Sequence, residues 1–181
     1  MKVELFDIEE HNILKNSTSN VEAYNLYLLG LFEWYKRSEE NMNRSISYFE
    51  KALQIDPNYT LAYCGIANSY SALTDWGGLL AKEALPIARN ALEKAMQIDP
   101  ELAEIYASFV YLNLCEWDMD RCEKNFKKAI SINPKAAVAY HHYGLQEACI
   151  GRFDNALSQN SIAREVDPLN MIFNFAYGFI L

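Results

Sequence analysis

YFEKALQIDP, residues 48–57, decides the fold, because close copies of it recur down the chain. ARNALEKAMQIDP at 88–100, NFKKAISINP at 125–134 and NSIAREVDP at 160–168 each close on Asp-Pro or Asn-Pro. The four prolines, Pro57, Pro100, Pro134 and Pro168, follow one another at intervals of 43, 34 and 34 residues. After each comes an aromatic-bearing segment: LAYCGIANSY at 61–70, AEIYASFVY at 103–111, VAYHHYGLQ at 138–146 and FNFAYGFIL at 173–181. AYNLYLLGLF at 23–32 supplies the same element ahead of the first run.

Within each run small and apolar residues return every three or four positions, the spacing of one buried helix stripe. Ser45, Phe49 and Ala52 form that stripe in the first unit, and Cys122, Phe126 and Ala129 in the third. A small side chain lets a neighbouring helix come close, and the large one fills the space behind it. Proline cannot continue a hydrogen-bonded helix, so each run stops there and the chain turns back. The expected product is all-α: a row of antiparallel helix pairs.

Composition agrees. The chain has 181 residues, of which 51% are hydrophobic and 22% charged, so it can bury a sizeable core and is not a disordered chain. Seven Gly and five Pro are too few for a loop-rich all-β fold. The net charge of −8 repels phosphate, so no nucleic-acid binding is expected of this region. Cys64, Cys115, Cys122 and Cys149 stand far apart with no CxxC pair, which predicts buried free thiols and no zinc site. No basic-then-apolar leader opens the chain and no apolar run approaches the ~20 residues of a membrane span, so no membrane partner is expected and the cytoplasm is the expected location.

The period and its residues resemble the tetratricopeptide repeat (TPR) family, whose unit has 34 residues. The family places an aromatic at position 4, apolar at 7, small at 8 and 20, large apolar at 24, Ala at 27 and Pro at 32. The unit starting at Ala103 supplies Tyr106, Phe109, Val110, Cys122, Phe126, Ala129 and Pro134; the unit starting at Ala137 supplies Tyr140, Tyr143, Gly144, Ala156, Asn160, Ala163 and Pro168. Val110 is large for position 8 and Asn160 polar for position 24, two local departures in packing. Gly151 follows the first helix of its unit, where a left-handed residue commonly ends a helix. The resemblance implies a superhelix (α-solenoid) over residues 21–181, with units at about 23–59, 60–102, 103–136 and 137–170 and a partial unit at 171–181. The first unit carries about three extra residues and the second nine, expected in loops on one edge. AYNLYLLGLFEWYKRSEENMNRSISYFEKALQIDPNYTLAYCGIANSY at 23–70, CEWDMDRCEKNFKKAISINP at 115–134 and GRFDNALSQNSIAREVDPLN at 151–170 further resemble a bacterial TPR subfamily. That subfamily occurs C-terminal to cyclase, kinase or winged-helix DNA-binding domains. The resemblance implies a regulatory or docking module and a fragment of a larger signalling or transcription protein.

The residues offer no catalytic chemistry. His11, His141 and His142 are the only histidines, and adjacent His141 and His142 point about 100° apart on a helix, poorly placed to share a metal. There is no GxxxxGK[ST], GxGxxG, HExxH or GxSxG, and Asp118 and Asp120 read as helix-capping residues rather than a calcium loop. Neither enzyme nor cofactor is expected. What remains is a surface. In the family the inner wall carries positions 2, 5, 9 and 12, which here are Tyr24, Tyr27, Leu31 and Trp34, then Leu61, Cys64, Asn68 and Ser71. Glu104, Ala107, Tyr111 and Leu114 follow, then Val138, His141, Leu145 and Ala148.

This aromatic and apolar row suits a segment of a protein or peptide. Tyr24, Tyr27 and Trp34 read equally well as internal packing, beneath segment 1–20. A chaperone-tail clamp would need Lys and Asn at positions 5 and 9, and only Asn68 fits, so that partner is not expected. Segment 1–20, with Leu5, Phe6, Ile8, Ile13 and Leu14, reads either as a cap or as a linker from an upstream domain. MIFNFAYGFIL at 171–181 has no polar outer face. This reads as a cut inside an array, as a shortened capping helix, or as a self-association helix in which Ile172, Phe175 and Phe179 pair with another copy to give a homodimer.

Overall fold

A computed structural model describes residues 18–75 and 78–181; the readings of residues 1–17, His11 among them, and of Trp76-Gly77 lie outside the described residues. The described chain forms nine helices: α1 Val21–Trp34, α2 Glu39–Ile55, α3 Thr60–Asp75, α4 Ala81–Ile98, α5 Ala103–Cys115, α6 Met119–Ile132, α7 Ala137–Cys149, α8 Phe153–Val166 and α9 Met171–Ile180. Successive helices pair, and α1, α3, α5, α7 and α9 also pack one on the next as an inner row. The result is an all-α solenoid.

The same local chemistry closes the first three turns from an even-numbered helix to the next odd one, and part of it recurs in the fourth. The side chains of Asp56, Asp99 and Asn133 each accept a hydrogen bond from the backbone N–H two residues on, at 3.0, 3.1 and 2.9 Å. The position-4 tyrosine then reaches back to the proline carbonyl. Tyr63, Tyr106 and Tyr140 donate to the carbonyls of Pro57, Pro100 and Pro134 at 3.2, 2.9 and 3.2 Å. In the last unit Asn174 Nδ2 does the same to Pro168 at 3.0 Å. Three of the four opposite turns have a left-handed residue at position 15: Arg37 (φ 54°), Trp117 (φ 59°) and Gly151 (φ 78°). Asn20, Ser38 and Asp118 cap α1, α2 and α6, the last as its sequence context predicts.

The helix stripes form the core as expected: Ser45, Phe49, Ala52, Cys122, Phe126 and Ala129 are all buried. Phe49 is wedged between two glycines. A β-carbon on Gly30 of α1 or Gly65 of α3 would come within 2.5 or 2.6 Å of its ring. Asn160 fills the same position over Gly144, where a β-carbon would lie 2.2 Å from its Nδ2. Its polarity is satisfied internally, with Nδ2 donating to Ala156 O at 3.0 Å.

Two expectations are corrected. The extra residues of the first two units mostly lengthen helices rather than loops: α2 has 17 residues against 14 in α6 and α8, α3 has 16 against 13 in α5 and α7, and α4 has 18. Three or four residues make about one helical turn, so the insertion extends a helix without rotating its buried stripe. The four cysteines are free, but only Cys64 and Cys122 are buried; Cys115 is half-buried and Cys149, ending α7 at a turn, is exposed.

Candidate functional site

The inner row places positions 2, 5, 9 and 12 of the odd helices on one face, and their burial divides that face into two lanes. Around Trp34 and Tyr111 the face is filled by the chain itself. Trp34 and Tyr111 join Met42, Ile46, Ala72 and Leu73 in a buried cluster, and Ile172 of α9 packs against it. Arg37, held in its left-handed turn, stacks its guanidinium 3.7 Å from the Trp34 ring. Burial lowers its pKa from the ordinary arginine value. Tyr111 Oη donates to Asp75 Oδ2 at 2.6 Å, and its ring stacks on His142 at 4.8 Å. Across the opening Asn170 Nδ2 reaches Tyr35 Oη at 3.5 Å, joining the first unit to the start of the fifth.

Both histidines belong to this filled region. His142 Nδ1 donates to Ala107 O at 2.9 Å, and His141 Nδ1 donates to Asn160 Oδ1 at 3.1 Å, because Asn160 Nδ2 is already committed to Ala156. His141 also packs against Phe173 at 5.0 Å. Burial above all pulls the pKa of His141 down to about 4 and that of His142 to about 3, with the neighbouring His141 adding to the effect at His142 and the Arg37 charge at both. Both are neutral packing groups at neutral pH. No group of three metal-ligating side chains occurs among the described residues. No helix of the described residues is long and apolar enough to cross a membrane.

The second lane is open. Tyr24, Tyr27, Leu31, Leu61, Asn68 and Leu145 are half-buried, and Val138 is 37% exposed. Tyr27 sits against Phe49 and Tyr59, with ring centres at 5.7 and 5.2 Å, so it is supported from behind while still reached by solvent. Glu104, half-buried, is the carboxylate of this lane. Of the residues singled out in the sequence, Trp34, Tyr111 and His141 are therefore sealed by internal contacts, while Tyr24, Tyr27, Leu31, Leu61, Asn68 and Leu145 line accessible wall. Phe175 and Phe179 are 74% and 81% exposed and lie side by side at 6.1 Å, whereas Ile172 turns to the inner cluster. Sequence reasoning missed Arg37 and Asp75. Their only signal was position: Asp75 ends α3, and Arg37 lies in the turn after α1.

A family model described as tetratricopeptide repeat matches residues 34–59. The full fold is similar to that of TTC0263, a thermophilic TPR protein of Thermus thermophilus. The likeness has a TM-score of 0.70 and 18% identity, and covers 98% of this chain and 94% of that one. It is also similar to the pilF protein of Pseudomonas aeruginosa, with a TM-score of 0.57, 14% identity, and 88% and 68% coverage. In sequence it is 20% identical over 150 residues to the transcriptional regulator HilA of Salmonella paratyphi A, and 19% identical to HilA of Salmonella typhimurium. The match takes in 83% of this chain but 27% of HilA, so the chain spans about a quarter of the length of these relatives. The fold is that of a TPR solenoid.

Proposed function

We propose that this chain is a non-catalytic interaction module that holds a segment of another polypeptide along its open lane, as part of a larger bacterial signalling or transcription protein in the cytoplasm. The observation that carries this reading is the division of the inner face. Rigid helices present Tyr24, Tyr27, Leu31, Leu61, Asn68 and Leu145 partly open to solvent, while their neighbours are locked by internal contacts. Tyrosines fixed on helices give large contact area at small entropic cost. The likeness to a quarter of a transcriptional regulator supports a place within a longer protein.

The test is selection of random dodecapeptides on the whole chain, followed by mapping of the recovered binders. Tyr24→Ser and Leu61→Ser should weaken them at least about tenfold, a loss of ~1.4 kcal/mol. Phe153→Ser, on an exposed position of α8, should not. Binders insensitive to the inner substitutions, or no binders at all, would overturn the reading.

A second reading is self-association through α9. Gly178 stands at position 8 of its unit, as Gly30 and Gly144 do in theirs. Those two seat Phe49 and Asn160, yet nothing lies within 4 Å of a β-carbon at Gly178. Beside that bare site Phe175 and Phe179 are exposed, so one helix carries both the knob and the hole that an antiparallel copy requires. Sedimentation across a concentration series should show a dimer that Phe175→Asp abolishes; a monomer at every concentration removes this reading.

A further inference from the structure

The open lane carries two buried acceptors, on Glu104 and Asn68, that the described residues leave unanswered. Glu104 Oε2 is shielded from solvent and has no hydrogen-bond partner among the described residues. No ion pair of the described residues reaches Glu104. Burial above all raises its pKa and the Asp99 carboxylate adds to this, against a hydrogen bond from its own backbone N–H. Glu104 stands at position 2 of α5, the register that Leu61 holds on α3 and Tyr24 on α1, and these three helices pack one on the next. On the same lane Asn68 Oδ1 is also buried and without a donor. An acceptor taken out of water with nothing in exchange costs free energy, and for a carboxylate the cost is relieved best by a cation.

We infer that the segment held in this lane presents a lysine or arginine to Glu104, its aliphatic stem laid along Leu61 and its charge beside the Tyr24 and Tyr27 rings. The inference rests on the groove reading and specifies its partner. A long basic side chain matches each element of the wall: apolar stem to leucine, cation to aromatic faces, N–H donors to the unanswered oxygens. The chain's net charge of −8 favours the approach of such a segment and opposes an acidic one.

The experiment uses the dodecapeptides recovered on the whole chain whose binding depends on Tyr24 and Leu61. These should be enriched in Arg or Lys. Replacing that residue by citrulline, which keeps the shape of arginine and removes its charge, should weaken binding at least about tenfold. Glu104→Gln should abolish the preference for arginine over citrulline, while Glu101→Gln, on an exposed turn, should leave it intact. Thermal unfolding of each variant shows that it is folded. Lane-dependent peptides with no basic residue, or an arginine preference that survives Glu104→Gln, would overturn the inference and leave the groove reading standing. The absence of any lane-dependent peptide would remove both.

Discussion

Asn160 and Gly144 are in such close register that a β-carbon on the glycine would lie 2.2 Å from the asparagine Nδ2 and 3.2 Å from Ala156 O. Asn160 is fully buried and holds both Ala156 O and His141, so it has little room to withdraw. Gly144→Ala should destabilise the protein by about 1–3 kcal/mol, the usual cost of overpacking. Gly178→Ala is the control: the position is the same, nothing lies within 4 Å, and removing a helical glycine should stabilise by ~0.5–1 kcal/mol. Urea midpoints of the two variants should move in opposite directions.

Trp117 adopts φ 59° with its side chain 68% exposed, so it bears the left-handed penalty with little burial in return. Trp117→Gly should leave stability unchanged or raise it by up to about 1 kcal/mol, while Gly151→Ala, at the equivalent φ of 78°, should lower it by ~1 kcal/mol. Calorimetric melting of both variants checks the pair; a large loss from Trp117→Gly would mean that the indole has contacts of its own.

Acid should weaken this fold through its histidines. Their folded pKa values of about 4 and about 3 lie below the unfolded value of 6.5, so the native state disfavours the protonated form. Stability is complete above pH 6.5 and falls as pH drops toward 4, by several kcal/mol at most for the two together. The charged group acting on both is Arg37, which adds repulsion to the cost of burial. His142→Phe, which retains an aromatic ring to stack on Tyr111, should flatten the fall between pH 6.5 and 4 in urea titrations, at some loss of stability at pH 7.

Glu104 has the opposite sign. Its folded pKa is raised, so its ionised form costs stability once pH exceeds that value, and the cost disappears on acidification. Glu104→Gln should therefore stabilise the free protein at pH 7 by about 1 kcal/mol or less, given its partial exposure, with the gain shrinking toward pH 4. Paired urea titrations measure it. A stabilising substitution that also impairs binding is the signature of a residue kept for function.

Tyr106→Phe removes the donor to Pro100 O at 2.9 Å and should cost ~0.5–1.5 kcal/mol. Tyr48→Phe, half-buried in α2, should be close to neutral by the same chemical-denaturation measurement.

The repeat and its buried stripes were legible because each depends on residues close in sequence: Phe49 four after Ser45, Pro57 closing the run, Tyr106 six after Pro100. The lanes were not. Whether Trp34 lines a groove or seals it depends on Tyr111 and Ile172 joining its cluster from distant parts of the chain, and no local spacing encodes that meeting. His141 is a similar case. Its inner-face register could be read, but its partner Asn160 looked like a flaw in position 24 until the two were seen bonded at 3.1 Å. The helix extensions in the first two units were hidden for another reason: an added turn and an added loop have the same length in sequence.

The contact between Tyr35 and Asn170 links residues 135 positions apart. A repeat array linked only through nearest neighbours stretches and twists like a spring, each joint yielding independently. Here the Tyr35–Asn170 contact and the packing of Ile172 on the Trp34 cluster bring distant turns of that spring against one another.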